Sequence, residues 1–327
     1  MNPDNVDLIS LPTDVWRQVI LQYLGIKDLS CLDCAIVRRY HRGLFLSILS
    51  HPSCVINGSK LRLEASYFEW ILSRGISIRQ LHIVDVENVR NLHDGQVSSI
   101  EYLRKDYLGE EDCITLVPLI ERNSSTITTF ISHSIYYFPG LLPAFQNMPH
   151  LTHLDMSNSS YILERGICDR IFRHIPQLKV LNLTGCAYNA RDLVVSLIEN
   201  CRNVEELYFD CNANQLKDSH LVALAQSYNT QLKSVRMARS KMLNYSGVSR
   251  IGRNCVLTHL SLQDVRNLSQ IAFESINSTC LQTLNLSSTG ISDVALAKIV
   301  KNAEHLTHLN LTECSQVADC ILILLAE

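Results

Sequence analysis

Two thiols in the stretch Cys31-Leu-Asp-Cys34 have the spacing of a metal-binding pair. A structural zinc site needs four ligands, and the sequence has no second Cys-x-x-Cys pair and no pair of histidines at zinc-finger spacing. Both thiols also fall among apolar residues of a helical pattern. The sequence therefore predicts no metal site, and we expect no cofactor.

Three histidines, His153, His259 and His308, occupy the same position of a repeated pattern. If each lies on its own strand of a parallel sheet, with strands about 4.8 Å apart, His153 and His259 are separated by about 19 Å and cannot share a metal ion. The chain also lacks a Gly-x-x-x-x-Gly-Lys phosphate loop and a Gly-x-Ser-x-Gly nucleophile motif, and its acidic residues are spread over the repeats. These observations predict a protein that is not an enzyme.

The element that positions the histidines is a repeat of apolar residues, clearest from Leu306 through Leu309 and Leu311 to Cys314. The same frame begins at positions 178, 257 and 281, and weaker copies begin at 127, 151, 204 and 232, so that successive starts are 24 to 28 residues apart. A fixed period of this length is typical of a leucine-rich-repeat solenoid. We expect an α/β right-handed horseshoe over residues 78–327, with a parallel sheet on its concave side and helices on its convex side. Its buried ladder is predicted to comprise Leu154, Leu181, Leu207, Val235, Leu260, Leu284 and Leu309.

Composition and charge limit the partners and the cellular compartment that can be expected for the protein. Apolar residues make up 46% of the 327 residues, which is enough for a large core. The formal net charge is −3, without an acidic or basic tail, and nothing in it favours a nucleic-acid partner. No apolar run approaches the ~18 residues of a membrane span, so we expect no membrane partner. Cysteines recur at small apolar repeat positions that free thiols fill well, which predicts a reducing compartment, the cytoplasm or the nucleus.

Residues 1–50 read as a small helical domain of three short amphipathic helices. The first begins at Leu11-Pro12 and ends before Gly25, the second covers 27–36 and the third runs from 37 to 49. Three helices this short cannot bury much surface by themselves. We therefore expect them to pack on a partner or on the solenoid.

This N-terminal stretch resembles an F-box, which has a Leu-Pro-x-acid start, an apolar helix, an Asp-Leu pair and a Val-x-basic-basic segment. The matching residues are Leu11, Pro12, Asp14, Val15, Asp28, Leu29, Val37, Arg39 and Leu44. The segment from Ile291 to Leu296 resembles the cysteine-containing repeat subtype that is common in F-box proteins.

The resemblance implies a substrate-recognition subunit of a ubiquitin ligase of the Skp-cullin-F-box type. The helices would dock on a Skp adaptor, which joins a cullin scaffold, and the repeats would hold a protein substrate. We expect an apolar patch that the repeats leave uncovered. The adaptor-binding residues implied are Leu11, Pro12, Val15, Ile20, Leu24 and Leu29.

A second class of function stays open at this point. A solenoid needs a cap over its first repeat, and the N-terminal helices could serve only as that cap. In this case they pack against residues 61–72, and the chain is a free-standing cytosolic leucine-rich-repeat scaffold or inhibitor.

The first repeats are harder to place than the later ones. Residues 51–77 read as a linker and a degenerate first repeat, and Ile78 opens a clear frame. The next clear frame begins two periods later, at Ile127, so a hidden repeat is expected between them, with its frame at 97–102. We expect an exposed charged loop at 104–112 and a helix at 114–120.

The candidate target site follows from strand alternation. Successive side chains of a strand point to opposite faces, so the residues flanking each buried ladder position are expected on the concave face. Most of them are small and polar, but Glu206, Tyr208, Asp210 and Arg236 gather in the middle of the chain. Tyr and Arg are enriched at binding hot spots, and these four residues are the predicted target-binding centre. The alternative is a solvated face in which Arg236 is paired with Asp210.

Overall fold

The computed structural model describes residues 12, 15–16, 24, 26–50, 69–71, 73–74, 80–83, 100–135, 139–159, 165–211, 216–276 and 279–318. Within them, ten short strands form one parallel sheet in which the order of the strands follows the chain. The strands are β1 (Gln80–Ile83), β2 (Tyr102–Lys105), β3 (Thr129–Ile131), β4 (His153–Asp155), β5 (Val180–Asn182), β6 (Glu206–Tyr208), β7 (Ser234–Arg236), β8 (His259–Ser261), β9 (Thr283–Asn285) and β10 (His308–Asn310).

Helices connect the strands and cover one face of the sheet. Two belong to the N-terminal domain, α1 (Ile26–Ala35) and α2 (Arg39–Leu49). The others are α3 (Glu110–Arg122), α4 (Leu142–Phe145, after a 3-10 turn at Pro139–Leu141), α5 (Arg165–Phe172), α6 (Ala190–Asn200), α7 (Asp218–Ser227), α8 (Ser246–Asn254), α9 (Gln270–Glu274) and α10 (Asp293–Asn302). This arrangement is a leucine-rich-repeat solenoid, as the repeat predicts.

Local sequence explains why a typical repeat helix begins and ends where it does. In α10, the side chain of Ser292 accepts a hydrogen bond from the backbone N–H of Ala295, and Asp293 lies in the first turn. Lys301 lies in the last turn, where a cation is favourable. Three apolar side chains at helical spacing, those of Ala295, Leu296 and Ile299, pack against the sheet.

The central residue of each strand forms the apolar ladder that the sequence predicts. Leu207 pairs with Leu181 on one side and with Val235 on the other, and Leu260 pairs with Val235 and Leu284. Six of the seven predicted ladder residues are at most 2% exposed, and the register of the repeat is therefore confirmed. Leu309 is only partly buried because β10 is the last strand in the order of the sheet.

A left-handed turn follows every strand from β2 onward. The residue five positions after the start of each of these strands has a positive φ between 55° and 70°, from Tyr107 to Glu313. At every such position before Glu313, the backbone N–H donates to a carbonyl of the next repeat, as Cys211 does to Ala238 at 2.8 Å. Only one of these positions is a glycine, Gly185, where a Cβ would lie 2.5 Å from the side-chain oxygen of Asn158.

The prediction for the second repeat is wrong by three residues. The strand is β2, with Leu103 rather than Ile100 at its centre, and residue 97 lies outside the described residues. Ile100 instead opens the frame and is fully buried, and its N–H donates to the side chain of Asn123. The third apolar position of this frame is Lys105, which is 6% exposed and whose Nζ donates to the carbonyl of Asp106. Because a lysine occupies this position, the repeat cannot be recognised from its apolar pattern.

The expected charged loop at 104–112 is also wrong. Arg104 and Lys105 belong to β2, Leu108 bridges to Ile135, and Glu110 begins α3. The charged residues of this stretch have two structural roles. The acidic residues stabilise the first turn of α3, and polar residues occupy the open side of β2. The helix expected at 114–120 is confirmed as part of α3.

The N-terminal domain contains the second and third predicted helices, α1 and α2. Trp16 is 1% exposed and makes an edge-to-face contact with Phe45 of α2, with ring centroids 5.8 Å apart. Asp33 of α1 is fully buried and is bound by side chains from α2 and from the helical residues at 69–74. The N-terminal helices are therefore joined to the segment that leads into β1. The boundaries predicted at residues 50 and 77 lie beside or within stretches outside the described residues.

The described residues contain neither a membrane-spanning helix nor a disulfide bond. No helix within the described residues is long and apolar enough to span a bilayer. The ten described cysteines are free thiols, and burial raises the pKa of Cys168, Cys201 and Cys255 to about 12. These three thiols stay protonated at neutral pH and behave as small apolar groups, as their repeat positions predict.

Candidate protein-binding site

The side of the sheet away from the helices carries the candidate site. We call it the open sheet face; it consists of the first and third residues of each strand. On β6 these are Glu206 and Tyr208, which flank the buried Leu207. Three of the four predicted target residues, Glu206, Tyr208 and Arg236, lie on this face.

A groove of about 510 Å³ opens on this face across strands β6 to β9. Tyr208 and Arg236 form one side of it, and small polar residues continue it across β8 and β9. The lining residues are Glu206, Tyr208, Ser234, Arg236, His259, Leu260, Ser261, Thr283 and Asn285. Three of the four predicted target residues, Glu206, Tyr208 and Arg236, therefore line one groove.

Arg236 is held in a fixed position in this groove. Its Nη2 lies 2.7 Å from Oδ2 of Asp210, and its guanidinium lies 5.6 Å from the centre of the Tyr208 ring. Half of the Arg236 side chain, 56%, remains exposed. A guanidinium that is braced in this way loses little conformational freedom when it binds a partner.

The hydroxyl group of Tyr208 is also held in place. Its hydroxyl donates a hydrogen bond to Oε2 of Glu206. Burial and this carboxylate raise the pKa of Tyr208 to about 12, so the phenol stays neutral and remains a donor at any physiological pH. The groove is therefore lined by a half-buried tyrosine that lies between a carboxylate and a guanidinium.

Asp210 does not lie on the open sheet face, and its assignment as a direct target contact is corrected. It is 3% exposed, and its Oδ1 accepts a hydrogen bond from the backbone N–H of Ala238 at 2.7 Å. The chain has turned inward at this position, toward the left-handed residue Cys211. The alternative pairing of Arg236 with Asp210 is confirmed.

Over β1 to β5, polar groups of the open sheet face bind one another or an aspartate that follows the strand. Both His82 and Arg104 donate to the carboxylate of Asp106, at 3.1 and 3.2 Å. Farther along, Asn182 donates from Nδ2 to Asp155 at 2.8 Å. Sequence reasoning missed this cluster, although the alternation of Arg104 and Asp106 about a buried lysine was a signal for it.

The three histidines in the same repeat position lie apart, as predicted, on β4, β8 and β10. Each has its Nδ1 within 2.9 Å of the hydroxyl of the preceding threonine, Thr152, Thr258 or Thr307. Among the described residues, no group of three or more His, Cys, Asp or Glu side chains could hold a metal ion. The thiols of Cys31 and Cys34 are both exposed.

The predicted adaptor residues are found in different environments. Leu11 and Ile20 lie outside the described residues. Pro12 and Val15 are exposed, Val15 by 37%, and Leu24 is partly buried. The expectation that Leu29 lies in an uncovered patch is wrong, because it is 1% exposed and packs in the core.

The residues that the N-terminal domain does present are in the connection from α1 to α2 and in the first turn of α2. Val37 is 90% exposed and Tyr40 is 79% exposed, and the arginines between them are exposed as well. Val37 and Tyr40 are the two most exposed large apolar side chains among the described residues. Val37 belongs to the matched Val-x-basic-basic segment, which is the signal that could have found them.

Comparisons with known proteins agree with the repeat architecture. A family model described as Leucine Rich repeat matches residues 277–300. No curated protein sequence matches the chain. One similar solved structure is "Crystal structure of Rad7 and Elc1 complex in yeast", with 12% identity, a TM-score of 0.48, and coverage of 94% of this chain and 88% of that chain.

A second similar structure is "Crystal structure of TLR13-ssRNA13 complex", with 16% identity and a TM-score of 0.42. The match covers 72% of this chain and 39% of that chain, so this chain spans less than half of its length. At these identities and scores, neither likeness carries an argument about function.

Proposed function

We propose that this protein is a non-catalytic recruiting subunit of a ubiquitin ligase, in which the N-terminal helices dock on a Skp adaptor attached to a cullin and the repeats hold a protein target. The observation that carries the proposal is the pairing of two separate surfaces, exposed Val37 and Tyr40 on the helices and the groove over β6 to β9 on the solenoid. A protein with two such surfaces brings its partners close together, which raises the effective concentration of a target near the charged enzyme.

The groove supplies the features of a target site. Its tyrosine and arginine are held by Glu206 and Asp210, and the surrounding two serines, one threonine and one asparagine offer donors and acceptors at low entropic cost. The buried free thiols are compatible with the cytoplasm or the nucleus, where such an assembly would operate.

The adaptor part is tested with the full chain. The variant V37D/Y40D places two charges just before and within the first turn of α2, and we expect adaptor binding to fall at least about tenfold because an apolar contact is replaced by unpaired carboxylates. The matched control is I271D/V294D, since Ile271 and Val294 are 59% and 64% exposed on distant repeats. Isothermal calorimetry with purified adaptor measures both variants. Equal adaptor binding by both variants and the parent chain would contradict the proposal.

One observation favours a second function, a free-standing scaffold or inhibitor. Asp33 binds Trp70 and Arg74, so the helices pack on the segment before β1 as a cap would. In that function the adaptor is not bound by any variant, while substitutions at Tyr208 and Arg236 still abolish binding of a protein partner. The calorimetric experiment therefore separates the two functions.

A further inference from the structure

One repeat of this acidic protein is strongly basic. From residue 219 to residue 263 the sequence contains no Asp and no Glu, although the whole chain has a formal net charge of −3. The same stretch contains six basic residues, Lys233, Arg236, Arg239, Lys241, Arg250 and Arg253. Such a concentration of one sign of charge creates a local positive potential that attracts acidic partners.

The six cations are not equivalent. Lys233 is paired with Glu205 at 2.6 Å, and Arg236 is paired with Asp210. Arg250 and Arg253 are exposed on α8. The remaining two, Arg239 and Lys241, lie in the connection from β7 to α8, and we call residues 239–245 the basic edge loop.

The basic edge loop also exposes large apolar side chains. Met242 is 49% exposed and Tyr245 is 50% exposed, while Ser240 and Leu243 of the same loop are each 1% exposed. The buried pair fixes the loop against the core and turns the cations, the methionine and the tyrosine outward. Tyr and Arg are typical anchors of protein interfaces, and methionine adapts to varied apolar partners.

Neighbouring repeats hold the loop from both sides. The N–H of Arg239 donates to the carbonyl of Gln263 at 2.8 Å, and Asn267 donates to the carbonyl of Lys241 at 2.9 Å. On the other side, the N–H of Asn244 donates to Asp218 at 3.1 Å. A loop fixed in this way loses little freedom on binding, which favours affinity.

The acidic groups around the loop are already engaged. Asp218 accepts hydrogen bonds from Asn244 and from the hydroxyl of Ser246. Asp264, in the next repeat, is bound by Nε of Arg266 at 2.5 Å. Arg239 has a weak contact to the sulfur of Cys211 at 3.8 Å, and its charge is not neutralised by that thiol.

We propose that the basic edge loop is a docking surface for an acidic segment of a partner protein, in which carboxylates meet Arg239 and Lys241 and an apolar side chain covers Met242 and Tyr245. The charge and the apolar area belong to one short loop, which fits a short acidic and apolar peptide. A nucleic acid would instead require a longer track of cations along its backbone. The loop is distinct from the groove, and this proposal does not depend on adaptor binding.

The experiment uses the full chain and a fluorescein-labelled peptide of alternating glutamate and leucine, with fluorescence anisotropy as the measurement. The variant R239E/K241E is expected to bind at least about tenfold more weakly, because attraction becomes repulsion. The matched control R250E/R253E makes the same change of charge in the same repeat and is expected to bind within about twofold of the parent chain. A second variant, M242S/Y245S, is expected to bind about fivefold more weakly without a change in salt dependence.

Three outcomes would overturn the proposal. The first is an equal loss of binding in both charge-reversal variants, which would mean attraction by net charge alone. The second is equal binding of a peptide in which glutamine replaces glutamate. The third is tighter binding of a labelled single-stranded oligonucleotide that R239E/K241E abolishes, which would make the loop a nucleic-acid surface.

Discussion

At the centre of the repeats the strands meet through buried apolar side chains, whereas the N-terminal helices close around a buried carboxylate. Leu207, Val235 and Leu260 are stacked in successive strands and are at most 2% exposed. Asp33, which is equally buried, receives hydrogen bonds from Arg42, Trp70 and Arg74. The repeats are therefore joined by many small and similar contacts, whereas the N-terminal helices add to their apolar core contacts one specific cluster around Asp33.

This difference means that the two regions should fail separately. An apolar ladder loses stability in proportion to the volume removed, whereas a buried ion cluster fails when one member is lost. Both tryptophans of the chain, Trp16 and Trp70, lie in the N-terminal region. Tryptophan emission therefore reports on that region, and far-ultraviolet circular dichroism reports mainly on the repeats.

The largest expected effect is in the ladder. The substitution Leu260→Ala leaves a cavity between Val235 and Leu284, and we expect it to lower the free energy of unfolding by about 2–5 kcal/mol. The control is Leu309→Ala in the same column, which should cost less because Leu309 is only partly buried. Denaturation followed by circular dichroism measures both variants. Equal losses for the two variants would contradict the described register.

A smaller effect is expected for Asp33→Asn. This substitution removes the charge that faces Arg42 and Arg74, and because both arginines are about one-third exposed to water we expect a loss of about 2–3 kcal/mol. The loss should appear in tryptophan emission at a lower denaturant concentration than the loss of dichroism.

The control for Asp33 is Glu205→Gln. Glu205 also faces two cations, Lys179 and Lys233, but their side chains are more than half exposed, so about 0–1 kcal/mol is expected. Coincident transitions for Asp33→Asn by both probes would mean that the two regions are not held independently.

The smallest effect is a dependence on pH. Burial tends to raise the pKa of Asp33, but hydrogen bonds from Arg42, Trp70 and Arg74 outweigh it, and the pKa is lowered below its ordinary value. The stability that it contributes is therefore complete above the unfolded pKa of about 3.9 and is lost as the pH falls through the lower folded value. Tryptophan emission should change in this acidic window in the parent chain, and the change should be smaller in Asp33→Asn.

The sequence predicts the repeats well because each one restates the same local pattern. The ladder from Leu154 to Leu284 is visible since its members recur at a fixed period. The second repeat is not visible in this way, because Lys105 replaces the third apolar residue of its frame. Strand alternation places Glu206, Tyr208 and Arg236 on the open sheet face. It misplaces Asp210, because the chain leaves the strand there and turns inward.

The N-terminal contacts could not be read from the sequence in the same way. Asp33 meets Trp70 and Arg74, partners 37 and 41 residues away that belong to no repeated pattern. The burial of Leu29 and the exposure of Tyr40 likewise depend on how helices from different parts of the chain are packed. A helical pattern gives the apolar side of a helix but does not say what covers it.

The left-handed turns affect the order in which the repeats fold during synthesis. A residue with a side chain costs about 1–2 kcal/mol in this conformation, and here the carbonyl that receives its N–H belongs to the following repeat. Synthesis proceeds at about 5–20 residues per second, so the following repeat takes about one to five seconds to synthesise. The turn of each repeat can form its hydrogen bond only after that time. We therefore expect the nascent chain to fold from its N-terminus, and the most recently synthesised repeat is always the one whose turn is incomplete.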